Sequence, residues 1–251
     1  MKRKINTGTY SYKTHQGRVR LLNEDAVKVL VNSDGDVLLI AADGMGGHKK
    51  GEFASSELVL TFERSFKEKK SFSSLISAKQ WIRASIKKAN NSIYKTQQRS
   101  QDYSGMATTA TVVLIRKNKM VIANCGDSRA YILKDDELIK MTEDQTYVNY
   151  LVHCGEITES EALTRDDRHV LTNAVGLYAS VSFDLQTYKY EGEKVLVCTD
   201  GLYNFVKFED IQNVLRTDNS TEEKCLSLVN LANFNGGDDN ITVAIWEPSN
   251  D

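Results

Sequence analysis

The feature that most constrains this chain is Val37-Leu38-Leu39-Ile40-Ala41-Ala42, an unbroken apolar run of strand length that stops abruptly at Asp43-Gly44-Met45-Gly46-Gly47-His48. The run predicts a buried strand that delivers a carboxylate to a rim. Glycines after the acid let backbone carbonyls and amides come close to a bound ion or anion. Taken alone, Asp-Gly after an apolar run is also the pattern of a plain turn. What gives it meaning is that the chain repeats it.

Ala26 to Val31 precedes the run across Asn32-Ser33-Asp34-Gly35, an Asp-Gly hairpin signal. Glu24 and Asp25, just before the first strand, therefore neighbour Asp43, just after the second. Upstream, Thr9 to Lys13 fits a short strand. From residue 50 to 100 the period becomes helical, with Ala54, Leu58, Phe62 and Phe66 on one face and Leu75, Ile82, Ile86, Ala89 and Ile93 on another. The charges there (Lys67, Glu68, Lys69, Lys70, Lys87, Lys88) read as solvated surface. Ala107 to Ile115, Met120 to Cys125, Ala130 to Lys134 and Glu137 to Met141 then read as strands of an antiparallel meander, broken at Asn124-Cys125-Gly126-Asp127-Ser128-Arg129.

Residues 143 to 172 are polar, with short amphipathic pieces at Tyr147 to Val152 and Ile157 to Leu163, too short a stretch to own a core. They read as a lobe inserted over one edge. Strands resume at Val181 to Tyr190 and Lys194 to Thr199, the latter running into Asp200-Gly201. Helical patterning covers Phe208 to Leu215 and Thr221 to Asn233. Asn235-Gly236-Gly237-Asp238-Asp239-Asn240 then precedes a last strand, Ile241 to Trp246, with the single proline, Pro248, after it.

Asp25, Asp43, Asp127, Asp200 and Asp239 thus each flank an apolar strand. Carboxylates gathered at one rim repel one another and call for cations. No histidine or cysteine stands at metal spacing, so the donors are oxygen and the favoured ions are Mg²⁺ or Mn²⁺ rather than Zn²⁺. Two such ions about 4 Å apart can activate a shared water toward a phosphoryl centre. A phosphate also needs a positive fork, and Arg20, five residues before Asp25, is the best candidate, a surface salt bridge being its plainer reading.

Composition narrows the alternatives. At 251 residues, 41% hydrophobic and 26% charged, the chain fits one globular domain, residues 1 to 251, carrying the lobe at about 143 to 172. A net charge of −2 gives no electrostatic case for nucleic acid or an acidic membrane surface. Cys125, Cys154, Cys198 and Cys225 lie far apart, with no Cys-x-x-Cys pair, and Cys125 and Cys198 sit in apolar runs as reduced thiols would. Met1 to Asn6 has basic residues with no apolar stretch after them, and no run is long enough to span a membrane. A cytoplasmic location is the expectation.

The ordered set Arg20 to Asp25, Asp43 to His48, Gly51 to Ser55, Gly105 to Thr111, Asn124 to Arg129, Thr199 to Leu202 and Gly237 to Val243 resembles the motifs of the metal-dependent serine/threonine protein phosphatases, the PPM or type 2C family, in its bacterial form. The match runs from about Gly8 to Trp246. The resemblance implies an α+β fold, a four-layer α-β-β-α sandwich of two antiparallel sheets flanked by helices, with a metal site at one end. It implies that Asp43 bridges two ions and Gly44 offers a carbonyl, that Asp200 and Asp239 complete the first metal, and that Glu24 and Asp25 act around the second. Asp127 with Asp200 would hold a third ion, and Arg20 would grip the substrate phosphate. The activity implied is hydrolysis of phosphoserine and phosphothreonine monoesters by attack of a metal-bridging water, opposing a bacterial Ser/Thr kinase, by a monomer.

Three positions depart from the family pattern. Met45 stands where eukaryotic members carry a histidine proposed as general acid, His15 where an acid is usual, and Asn173 where an arginine is frequent. These imply altered tuning rather than lost activity. His48 reads as a structural hydrogen-bonding residue, and His153 and His169 as lobe surface. Two other functions are compatible with the same motifs: a non-catalytic phosphoprotein-binding module, against which the full set of carboxylates argues, and a small-molecule phosphatase.

Overall fold

In the computed structural model, which describes residues 6–46, 50–69, 71–99 and 101–249, the central run forms strand β3 (Val37–Ala42) and is buried at all six positions. Its period of two sorts it between two cores. Leu38, Ile40 and Ala42 face helices on one side, while Val37, Leu39 and Ala41 face a second sheet on the other. That double burial explains the absence of polar alternation in the run.

The remaining elements follow in chain order. β1 (Gly8–His15) and β2 (Ala26–Val31) precede β3, and the two-residue β4 (Gly44–Met45) follows it. Helices α1 (Lys50–Lys67) and α2 (Leu75–Arg99) lead into β5 (Ala107–Thr108), β6 (Ala110–Arg116), β7 (Lys119–Cys125), β8 (Arg129–Lys134) and β9 (Glu137–Lys140). The lobe holds α3 (Tyr147–His153) and α4 (Glu159–Thr164). Then come β10 (Asp184–Lys189), β11 (Lys194–Cys198), α5 (Asp200–Tyr203), α6 (Phe208–Arg216), α7 (Thr221–Phe234) and β12 (Ile241–Pro248).

Two five-stranded antiparallel sheets, ordered β10-β7-β6-β3-β2 and β1-β12-β11-β8-β9, pack face to face. Their shared core contains Leu39, Val113, Ile115, Val195, Val197, Ala244 and Trp246, and the Trp246 Nε1–H donates to the Tyr190 hydroxyl at 2.9 Å. On the outer face of the first sheet, α1 and α2 contribute Leu58, Phe62, Ile82 and Ile86. On the outer face of the second, α6 and α7 contribute Ile211, Leu215, Leu228 and Val229. This is the expected four-layer sandwich.

Three expectations are corrected. Strands β6 to β9 do not form one meander, because β6 and β7 pair in the first sheet while β8 and β9 belong to the second. The chain changes sheets at Gly126-Asp127-Ser128, where Gly126 takes φ +97°, a backbone conformation that favours glycine. The strand expected from Ala107 to Ile115 is likewise split at Thr109. Pro248 closes β12 opposite Gly8 rather than lying beyond it. Both lobe helices start on a threonine cap, Thr146 and Thr158.

Cys125, Cys198 and Cys225 are buried and free, and Cys154 is exposed. Among the described residues no helix is long and apolar enough to cross a membrane. Met1 to Ile5, Gly47, His48, Lys49, Lys70, Ser100, Asn250 and Asp251 lie outside the described residues.

Because Leu39 is wholly buried between the sheets, Leu39→Ala is expected to cost about 2–5 kcal/mol of unfolding free energy. Equilibrium urea unfolding measures this, and a loss well below that range would show that the two sheets do not share a close-packed core.

Candidate metal centre

The register of the β2–β3 hairpin places Ala26 opposite Ala42, so Asp25 and Asp43 emerge side by side at one end of the sandwich. Asp200 follows β11, which lies next to β12, and Asp239 precedes β12 by two residues. Asp127 sits at the crossing between the sheets. Five strand ends therefore deliver five carboxyl groups to one region, and the charges of Asp25, Asp200, Asp127 and Asp239 all act on Asp43.

The backbone around Asp43 is held by neutral donors and acceptors. Its N–H donates to Thr109 Oγ1 at 2.9 Å, and its carbonyl accepts from the Thr109 N–H at 2.8 Å and the Thr108 hydroxyl at 2.9 Å. Thr109 Oγ1 lies 2.7 Å from Ser128 Oγ, which ties the site to the sheet crossing. The Gly44 N–H donates to the Glu24 carbonyl at 3.1 Å. A Cβ on Gly44 would come within 2.4 Å of that oxygen and 2.2 Å of the Gly51 carbonyl, so only glycine lets β4, Glu24 and the start of α1 approach this closely. Glu24 Oε1 accepts from the Gly51 N–H in the first turn of α1 at 3.0 Å, and the Ser55 hydroxyl donates to the Glu24 carbonyl at 2.5 Å.

Asn240 joins three segments. Its Nδ2 donates to the Gln16 and Leu22 carbonyls, both at 2.8 Å, and its Oδ1 accepts from the Glu24 N–H at 2.8 Å. Arg20 reaches the same region, with Nη2 2.8 Å from Asp239 Oδ2 and Nε donating to the Asp238 carbonyl at 3.2 Å. Its side chain remains 53% exposed.

Electrostatics show the strain of this arrangement. Asp25 is pushed up to about 7, by burial first and then by the charges of Asp200 and Asp239, against hydrogen bonds from Thr242 and Thr199. Asp127 is also pushed up to about 7, by burial and then by Asp200 and Asp144. Burial and four neighbouring carboxylates hold Asp43 well above the usual range. Asp200 is raised by burial and by Asp239, an effect eased by a hydrogen bond with Asp43 and by Arg20. Glu24 is raised chiefly by burial.

The donors fit hard divalent cations. Asp25 Oδ1 and Asp200 Oδ1 are buried without a hydrogen-bond partner, a costly condition that an ion would relieve. Among the described residues no three acidic, histidine or cysteine side chains are drawn together as a ready-made ligand cage. Mg²⁺ and Mn²⁺ suit such a site because they take one or two carboxylates and keep several waters.

Sequence patterns did not single out the neutral shell of Thr109, Ser128, Thr199 and Asn240, although each of these residues lies inside a quoted motif. His15 ends β1 opposite Ile241, and its Nδ1 accepts the Gly17 N–H at 2.9 Å. Asn173, where an arginine is frequent, donates to Gln145 Oε1 at 3.3 Å and to the Ser182 carbonyl. His153 and His169 are exposed, as expected of lobe surface, and both line a cavity of about 740 Å³ between the lobe and Asp127, Arg129 and Tyr203. In it the Arg129 guanidinium stacks 3.3 Å above the Tyr203 ring and forks onto Asp144.

A two-sheet sandwich with clustered acids beside an exposed arginine has what metal-assisted hydrolysis of a phosphate ester requires. The family model for protein phosphatase 2C matches residues 14–230, and the chain belongs to that family of metal-dependent phosphoprotein phosphatases. It is 34% identical over 237 residues to a serine/threonine phosphatase stp of Listeria welshimeri, covering 94% of each chain. It superposes on a Streptococcus agalactiae serine/threonine phosphatase with TM-score 0.90 and 36% identity, covering 96% of this chain and 99% of the other. The catalytic domain of the phosphatase PstP, in complex with two manganese ions, matches with TM-score 0.83 and 32% identity, covering 96% and 98%.

The raised carboxyl groups fix the sign of a pH effect. Groups whose folded pKa lies near 7 and whose unfolded value is near 4 stabilise the folded state when protonated, and that stability is lost as pH rises through 7. The metal-free protein should therefore lose stability between pH 4 and 7.5. Asp43→Asn should be more stable than the parent at pH 7.5 in chelator, as urea unfolding would measure. A less stable variant would show that the carboxylate is not under electrostatic strain.

Proposed function

We propose that the chain is a serine/threonine protein phosphatase whose reaction centre is the cluster around Asp43. The proposal rests on one observation above the rest: Asp43 lies within reach of four other carboxyl charges while buried oxygens of Asp25 and Asp200 go unpaired. Membership of the protein phosphatase 2C family supports it.

In this reading the Asp43 carboxylate and the Gly44 carbonyl would be among the oxygens that hold divalent ions, Mn²⁺ or Mg²⁺. Asp200 and Asp239 would help to hold one of these ions and Glu24 and Asp25 the other, and Asp127 with Asp200 would hold a third. The chemistry such ions supply when bound is activation of a water and neutralisation of charge at the phosphoryl group. Arg20 holds the phosphate by its fork and orients it. Asp239 and the Asp238 carbonyl already fix the guanidinium plane, limiting the ordering left to do on binding. The hydrogen bonds at Thr108 and Thr109 keep the Asp43 backbone from moving as charge develops. Met45 has no proton to give, so the leaving alkoxide must take its proton from another source.

The substrates are phosphorylated serine and threonine residues of proteins, set by a partner kinase of the same specificity. The whole chain acts as one domain, with residues 143 to 172 as a lobe beside the cleft.

Phosphate release from a phosphothreonine peptide and from an aryl phosphate should require Mn²⁺ and stop in chelator. Asp200→Asn and Asp43→Asn should each lower kcat by about 100-fold or more with the circular dichroism spectrum unchanged. Full turnover in both variants would remove the assignment. Arg20→Ala should raise KM for the phosphopeptide by about tenfold, and an unchanged KM would take Arg20 out of phosphate binding.

A further inference from the structure

The two most exposed large apolar side chains among the described residues are Leu21, at 91%, and Phe234, at 83%. They stand on two segments fastened to each other beside the arginine fork. The Arg18 N–H donates to the Gly237 carbonyl at 2.7 Å, Arg18 Nη1 to the Asn233 carbonyl at 3.4 Å, and Arg20 Nε to the Asp238 carbonyl at 3.2 Å. These bonds turn Arg18 and Arg20 toward the 233–239 segment. Val19 and Leu21, alternating with them, are left in solvent, Val19 at 62%. Phe234 ends α7, one residue from the carbonyl that Arg18 holds.

Isolated exposed apolar residues are ordinary, whereas a group of them beside a charged site marks a contact surface. A free phosphate needs only Arg20. A protein segment bearing that phosphate also brings side chains to either side of it, spaced about 3.3 Å per residue when extended. Resting on the phosphatase reading above, we infer that Val19, Leu21 and Phe234 form an apolar shelf that receives an aliphatic or aromatic side chain flanking the phosphorylated residue of an extended substrate segment. Two properties fix that occupant. The phosphate dianion complements Arg18 and Arg20, and the shelf is continuous with Arg20 through the backbone of residues 18 to 22. The shelf selects substrates and takes no part in the chemistry.

The test uses pairs of phosphothreonine peptides that carry leucine or serine at the positions flanking the phosphothreonine, assayed with Mn²⁺. Wild-type enzyme should prefer the leucine peptides by about tenfold in kcat/KM, mainly through KM. In L21S/F234S the ratio should fall to within about twofold, while hydrolysis of a small aryl phosphate and the melting temperature stay unchanged. No leucine preference in the wild type, or a preference that survives in L21S/F234S, overturns the inference. So does a dimer in sedimentation that the double substitution dissolves without changing selectivity, since the shelf would then join two copies of the chain. Absence of phosphate release from every substrate, the aryl phosphate included, sinks the phosphatase reading and the shelf with it, whereas turnover without selectivity sinks the shelf alone.

Discussion

Everything at the working end of this molecule depends on holding like charges together. Asp43 feels Asp25, Asp127, Asp200 and Asp239 at once, and burial removes the water that would screen them. Such an arrangement persists only on a scaffold that leaves the carboxyl groups no room to move apart. The two close-packed sheets provide that scaffold, because each acid sits at or near the end of a strand, or where the chain crosses between sheets. The inter-sheet core around Leu39 and Trp246 is thus a condition for the carboxyl cluster as well as for the fold.

The neutral shell converts that rigidity into position. Thr108, Thr109 and Ser128 fix the Asp43 backbone, and Asn240 joins Gln16, Leu22 and Glu24. None of these groups adds charge, so they orient the acids without changing the balance that draws cations in. Arg129 does similar work at the lobe: stacked on Tyr203 and forked onto Asp144, it links the start of the lobe to the helix that carries Asp200.

Much of this was legible in the residues. β2 and β3 have the bounds their apolar runs predict, and the Asp-Gly turn between them already put Asp25 beside Asp43. The recurrence of an acid at each strand end carried the site. What escaped was information that local pattern does not encode. Alternation with period two marks β8 as a strand but does not say which sheet it joins, so the crossing at Gly126-Asp127-Ser128 read as one more turn. Helix α5 is four residues long, and Thr199-Asp200-Gly201 resembles a plain turn. The threonines and Asn240 were hidden because their roles depend on partners distant in sequence. His169 is exposed, as its polar surroundings predict, but nothing local says that it lines the same cavity as Asp127.

The central claim is that this cluster is a set of strained, partly protonated carboxyl groups that divalent cations relieve. The most direct measurement is calorimetric titration of Mn²⁺ into the metal-free protein at about pH 6.5, in two buffers of different ionisation enthalpy. With Asp25 and Asp127 both held up to about 7, binding should expel protons, so the apparent heats should differ between the buffers in proportion. Equal heats in both buffers, showing binding without proton release, would contradict the account.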